Sequence, residues 1–298
     1  MKKIIFSLMV SLVLVSSLAA KIKVVTTLPD LAALVSAVGG EWVEVTSIAK
    51  GYQDPHFVDP KPSYILKLQS ADLLFKIGLG LELWLEPLVI GARNAKLKVV
   101  DCSRGVPLLE VPSSVDRSMG DIHPFGNPHI WLDPANGRVF LDSIAAALKR
   151  TNPANASFYE ANRAAYSKKL DSALSVWEAK LKPYAGTKVV TYHNSWPYFG
   201  ERFGLVRAGF LEPKPGIAPS PSHLKELIDQ MKREKIKLIL MEPYFSDKDP
   251  NFIARETGAK VVKLASMVGA FNGTNDCIAM FDYDVNLLAQ ALKGGEPK

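Results

Sequence analysis

A two-lobed α/β fold is predicted by three features of the sequence: each lobe carries a four-stranded, mainly parallel sheet flanked by helices, and a long rigid spine helix joins the two. Short β-branched runs alternate with helical segments in both halves of the chain, the rhythm of parallel strands with helices on the sheet faces. Between the halves lies one helical stretch far longer than the rest, from Pro153 to Leu181. At 298 residues the chain is also long enough for two modest domains.

The N-terminal segment is set apart from the fold. Lys2 and Lys3 precede an apolar run from Ile4 to Leu18, and Ser17, Ala19 and Ala20 offer a small-residue cleavage site after Ala19 or Ala20. This is the pattern of a secretory signal peptide, too short and wrongly flanked for a membrane span. A lipoprotein signal would place a cysteine where Lys21 stands, so a free periplasmic or secreted protein is expected. The expected division is a signal peptide over 1–20, an N-terminal lobe over 21–132, linking helices with the spine over 133–184, and a C-terminal lobe over 185–298.

In the first lobe, Lys21 to Thr27 and Val43 to Ile48 read as strands. Between them Pro29 opens a helix that Gly39 and Gly40 stop. A polar loop from Gly51 to Pro60 follows, then a helix from Pro62 to Ser70, a strand from Leu73 to Ile77, a helix from Leu81 to Ile90 and a strand from Leu97 to Val100. Arg104 to Phe125, with Pro107, Pro112 and Pro124, reads as a long loop crossing between lobes. Helices are expected from Arg138 to Lys149 and from Pro153 to Leu181, with Tyr159, Tyr166, Leu170, Leu174, Trp177 and Leu181 on one face. Nearly 30 residues of helix span roughly 40 Å, enough to run along two domains and to limit any opening between them.

The second lobe repeats the rhythm. Strands are expected at Lys188 to Tyr192, Val206 to Phe210, Lys237 to Met241 and Lys260 to Leu264. Helices are expected at Ser195 to Phe203, His223 to Glu234 with Ser222 as its cap, Asp249 to Thr257 and Phe281 to Leu292.

Composition excludes several classes. The formal charge of +6 includes both leader lysines and is scattered, with no basic run interleaved with aromatics, so nucleic-acid binding is not expected. Two cysteines, Cys102 and Cys277, stand one in each half; a disulfide and two isolated buried thiols are both open readings. The sequence contains no HExxH, GxSxG, GxGxxG or GxxxxGK[ST] motif, so no enzyme signature of those kinds is present. Asp101 and Asp133 read as a strand-end carboxylate and a helix cap rather than a catalytic pair.

The chemistry instead gathers in histidines. His56 follows the second strand in Asp-Pro-His, His129 sits in NPHIWLDP at the crossing between lobes, and His193 ends the first strand of the second lobe. Ligands in open parallel sheets bind outside the carboxyl ends of the strands, and neutral imidazoles are good ligands for zinc and related metals. This placement points to a shared metal site in an interlobe cleft. Glu242, at the end of a strand, is a candidate fourth ligand, with a carboxylate that orients a histidine as the preferred alternative. His123 is expected in a wet loop, with an approach to the site as the alternative, and His223 on a solvent-facing helix.

With those residues in place, the chain resembles the zinc/manganese-binding proteins of bacterial ABC transporters, the ZnuA/TroA-like family. The likeness covers nearly all of the chain after the leader. It rests on VVTTLPDLAALVSAVGG, DPHFVDPKPSYILKLQSADLLFKIGLGLELWL, NPHIWLDP, VVTYHNSWPYFGERFGL, and PSPSHLKELIDQMKREKIKLILMEPYFS with ARETGAKVV, in that order. The resemblance implies two α/β lobes joined by a long helix, and metal ligands at His56, His129 and His193. Many members carry an aspartate where LASMVGA places Ser266, so three histidines plus water or Glu242 are expected. The His-rich loop of zinc-specific members is missing, since Asp116 to Asn127 holds only His123.

Three imidazoles favour zinc, with manganese, which prefers more oxygen ligands, as the alternative. The expected role is a monomeric, extracytoplasmic binding protein that hands the metal to a membrane permease and catalyses nothing. A different class, a secreted zinc hydrolase with Glu242 as general base, is the alternative; a surface adhesin would call for an anchor that the sequence does not show.

Overall fold

The computed structural model describes residues 20–113, 123–214 and 216–293. The leader from Lys2 to Leu18, most of the stretch from Asp116 to Asn127 and Pro215 lie outside the described residues.

The first sheet is built from β1 (Ile22–Thr26), β2 (Val43–Ser47), β3 (Leu73–Lys76) and β4 (Lys98–Asp101), with α1 (Pro29–Gly39), α2 (Pro62–Ser70) and α3 (Leu85–Ala92) between them. The strand order is β2-β1-β3-β4, and all three pairings are parallel. After the crossing come α4 (Gly137–Thr151) and α5 (Ala156–Leu181). The second sheet holds β5 (Lys188–Thr191), β6 (Val206–Phe210), β7 (Leu238–Met241) and β8 (Lys260–Lys263), with α6 (Pro197–Phe203), α7 (Pro221–Glu234) and α8 (Lys248–Thr257) between them and α9 (Cys277–Lys293) last. Its order, β6-β5-β7-β8, repeats that of the first and is likewise parallel throughout. In both sheets the order reverses beside the first strand, which opens a crevice at the strand C-termini.

The spine α5 has 26 residues, about 39 Å of helix. Tyr159, Leu170, Leu174, Trp177 and Leu181 are buried along it, the stripe expected from the sequence. It packs against α1 and α4 on one side and α6 and α9 on the other. One apolar core therefore runs through both lobes, from Val24 and Leu74 in the first sheet through Trp177 to Leu240 and Val262 in the second. A core this continuous resists hinge opening, because separating the lobes would expose packed apolar surface at about 25 cal/mol per Å².

Several element ends differ from the sequence reading, each for a local reason. The third helix begins at Leu85 rather than Leu81, because the Glu82 carboxylate turns back to accept from the N–H groups of Ile77 (2.7 Å) and Gly78 (3.0 Å) and from the Thr27 hydroxyl (2.7 Å). That turn requires the left-handed backbone of Gly78, Leu79 and Gly80. The cap of α7 is Ser220, not Ser222: its hydroxyl accepts from the His223 N–H at 3.2 Å, with Pro221 in the first turn. The helix ending lobe two starts a turn earlier than expected, at Cys277, since Asp276 accepts from the Ala279 N–H at 2.9 Å. His223 is half-buried, and its Nε2–H donates to the Phe210 carbonyl at 2.9 Å, so it is not simply a solvent-facing residue. Cys102 and Cys277 are both buried, unpaired thiols; the Cys277 thiol donates to the Asp30 carbonyl at 3.6 Å.

Candidate metal centre

Two of the three candidate ligand histidines are held by the same short device. In Asp54-Pro55-His56, Asp54 Oδ1 accepts from the backbone N–H of His56 at 2.9 Å and from its ring Nδ1–H at 3.0 Å. In Asn127-Pro128-His129, Asn127 Oδ1 accepts from the His129 N–H at 3.0 Å and from Nδ1–H at 2.9 Å. An Asx side chain reaching two residues forward forms a local turn, and the intervening proline restricts the residue before it to extended backbone. One oxygen thus fixes both the backbone and the ring. The Asn127 amide is oriented because its Nδ2 donates to Glu110 Oε2 at 3.0 Å and to the Asn194 carbonyl at 2.9 Å, leaving Oδ1 as the acceptor.

His193 lies two residues beyond β5, where the Thr191 hydroxyl donates to its carbonyl at 2.8 Å. Its Nδ1–H donates to Glu212 Oε2 at 2.7 Å, a carboxylate from the loop after β6. All three Nδ1 atoms are therefore engaged as donors, and Nε2 is the nitrogen left with a free lone pair on each ring.

The rings converge. Centroid separations are 5.0 Å for His56 and His129, 5.2 Å for His56 and His193, and 5.3 Å for His129 and His193. One ring nitrogen from each lies within 4.8 Å of the others, and all three residues are buried. The Nε2 atoms of His56 and His129 have no hydrogen-bond partner among the described residues. Buried nitrogen lone pairs aimed at one another and left unbonded are costly unless a cation fills the space between them. Nitrogens held at 2.0–2.1 Å on a tetrahedral ion sit about 3.3 Å apart, so the rings would have to draw in to hold one.

Electrostatics favour the neutral, ligating form of His129. Burial holds its pKa well below the usual histidine value, and positive charge on His56, His193 or His123 would lower it further. Burial alone would raise Asp54, but the hydrogen bond and charge of His56, with the charge of His193, leave its carboxyl below the ordinary range. Glu242, directly after β7, is fully buried, and neither of its oxygens is hydrogen-bonded among the described residues. Burial pushes it up to about 8, opposed by the Ser195 hydroxyl and reinforced by Asp54 and Glu212, so it is largely protonated at neutral pH. Its oxygens stand outside the three-nitrogen group. Ser266 is buried, and its carbonyl accepts from Trp131 Nε1 at 2.7 Å.

NPHIWLDP thus reaches the second lobe through Asn127, Trp131 and Asp133. Asn127 contacts Asn194, Trp131 holds Ser266, and Asp133 takes Arg202 in a two-pronged ion pair at 2.8 and 2.9 Å while capping at the Ala135 N–H. The Asx partners were legible in the two Asx-Pro-His tripeptides; Glu212 was not, since nothing near His193 in sequence marks it. His123, expected in a wet loop, instead stands with its ring centroid 5.2 Å from that of His56.

Comparison with known proteins places this geometry. Residues 24–291 match the family profile ZnuA, described as zinc-uptake complex component A, periplasmic. The manganese ABC transporter substrate-binding lipoprotein PsaA of Streptococcus pneumoniae serotype 4 is 26% identical over 282 residues, 91% of this chain and 89% of its own. The iron-binding protein YfeA of Yersinia pestis is 28% identical over 287 residues, 93% and 88% of the two chains. Among solved structures, a crystal structure of ZnuA superposes with a TM-score of 0.80 at 29% identity, over 91% of this chain and 99% of that one. A zinc-bound deletion mutant of ZnuA gives 0.78 at 30% identity, over 93% and 100%. These are solute-binding components of transporters rather than enzymes, and the hydrolase alternative falls away. With the profile covering both lobes and the histidines between them, the chain belongs to the ZnuA family and is the substrate-binding protein of a metal ABC importer.

Proposed function

We propose that the protein captures one divalent transition metal, zinc in preference to manganese, on Nε2 of His56, His129 and His193, and delivers it from the periplasm to a membrane permease. The observation that carries this reading is the shared wiring of the three rings: every Nδ1–H is held by a side-chain oxygen, so three neutral nitrogen donors face one point. A set of nitrogens with no carboxylate among them suits zinc, whereas manganese favours oxygen. The names of the relatives span manganese, iron and zinc-bound proteins, so the preference rests on the donor set of this chain.

Ligand histidines bind only when neutral, and metal binding releases any proton they hold. Affinity therefore falls as the pH drops far enough to protonate them. The buried, protonated Glu242 acts beside the ligands and not as one of them. The chain works as a monomer after export, with the leader removed after Ala19 or Ala20.

Calorimetric titration of chelator-stripped protein with zinc and with manganese tests this, beside His129→Ala and Glu242→Gln. The expected result is one tight zinc per chain, weaker manganese, loss of binding in His129→Ala, and zinc affinity in Glu242→Gln within about threefold of the wild type, less than the 10–100-fold effect of even an indirect metal-site partner. Tighter manganese than zinc would reverse the metal assignment. No stoichiometric binding of either would sink the three-histidine site.

A further inference from the structure

We propose that His123 supplies a fourth imidazole to the bound metal, so that the loaded site is held by four nitrogens. This rests on the three-histidine reading above and extends it. A zinc ion on three protein ligands keeps a fourth position, and the question is which donor takes it.

Three observations single out His123. Its ring centroid is 5.2 Å from that of His56, equal to the His56–His193 spacing. It stands edge-on to His129 at 6.5 Å, which sets it to one side of the triangle. Its Nε2 is buried and, among the described residues, has no hydrogen-bond partner, the condition shared by Nε2 of His56 and His129. Its other nitrogen faces the backbone: Nδ1 lies 3.6 Å from where a Cβ on Gly80 would stand. As in His56 and His129, Nε2 is the ring nitrogen left bare and buried, while Nδ1 is turned to the backbone.

The competing donors are weaker. Ser266 offers a neutral hydroxyl, a poor zinc ligand. His123 and Glu242 both lie outside the nitrogen triangle, but His123 sits in a loop, whereas Glu242 directly follows the central strand β7. Pro124 and Phe125, which follow it, are exposed, and Gly126 at φ 116° turns the chain back into the buried Asn127. A loop residue approaches an ion without moving a sheet, whereas Glu242 is fixed at the end of a central strand. Four neutral imidazoles would also sharpen discrimination against manganese, which gains nothing from a further nitrogen.

X-ray absorption at the zinc edge on the loaded wild-type protein, His123→Ala, His123→Asn and His129→Ala tests this, together with competition against a chromophoric zinc chelator. The expected wild-type spectrum fits four imidazoles. His123→Ala and His123→Asn should each fit three imidazoles and one oxygen, with zinc affinity lowered by about tenfold or more, the range already seen when only an outer partner of a ligand is lost, and with manganese affinity nearly unchanged. A wild-type spectrum of three imidazoles and one oxygen overturns the proposal whatever the variants do, as does a His123 variant that binds zinc within about twofold of the wild type. Failure of the underlying site looks different: His129→Ala would then bind zinc as the wild type does.

Discussion

Removing the carboxylate behind His193 is the sharpest test of how the site is organised. Glu212 Oε2 accepts from His193 Nδ1–H at 2.7 Å, with the two side chains only 10% and 8% exposed. Glu212→Ala would leave that N–H without its acceptor in a nearly dry setting. A hydrogen bond to a charged group contributes about 1.5–3 kcal/mol. Its loss also frees the neutral ring to carry its proton on Nε2, the nitrogen proposed to take the metal. Zinc affinity should fall by about 10–100-fold, or roughly 1.4–2.7 kcal/mol. Glu212→Gln keeps an acceptor oxygen but not the charge, and its loss should lie between wild type and alanine. The fold should survive, because the Glu212 backbone N–H still donates to the Tyr192 carbonyl at 3.0 Å. The assay is competition with a chromophoric chelator at fixed pH and salt, with His193→Ala as the reference for total loss. If Glu212→Ala binds zinc within about twofold of the wild type while His193→Ala does not bind, the idea that a held Nδ1 prepares each ligand is wrong.

Two further predictions concern the fold. Asp30, on α1, is buried and accepts from the Val268 N–H at 3.3 and 3.4 Å; burial raises it from 3.8 to about 7, with the Val268 N–H opposing. A carboxyl raised on folding stabilises most below its unfolded value and loses that contribution as pH climbs through its folded value, a span worth about 4 kcal/mol at 1.36 kcal/mol per unit. Asp30→Asn cannot ionise and keeps an oxygen for Val268, so in urea melts its stability should gain on the wild type between pH 5 and 8; parallel pH profiles would refute this. For the cysteines, burial pushes both thiols up and each is unpaired. Protein purified without reductant should react with a thiol reagent slowly when native and show two thiols in denaturant. Finding none in denaturant would mean a disulfide.

Much of this molecule was legible from local pattern. The β-branched runs became the eight parallel strands, because alternation with helices and short connections leaves few other arrangements. The spine was visible as a stripe of Tyr159, Leu170, Leu174, Trp177 and Leu181 at helical spacing. Helix ends were less so. Leu81 to Trp84 looked helical by composition, yet Glu82 is drawn back by two backbone N–H groups and the Thr27 hydroxyl, the last a partner 55 residues away. The cap of α7 shifted from Ser222 to Ser220 because either serine fits the residue preference, and only the proline between them decides.

What the sequence determined by itself was the local form of two of the candidate loops: His56 and His129 each sit in an Asx-Pro-His turn, and such a turn needs only its own few residues to form. What only the tertiary structure decided was which other groups meet those rings. Glu212 reaches His193 across 19 residues, Asn127 is oriented by Asn194 across 67, and Trp131 holds Ser266 across 135. His123 comes beside His56 and the Glu242 carboxyl is sealed from water for the same reason. Local backbone preferences act over a few residues, whereas contacts between loops of two lobes are set by how the sheets and the spine pack. That packing is a property of the whole core, which no short window of sequence contains.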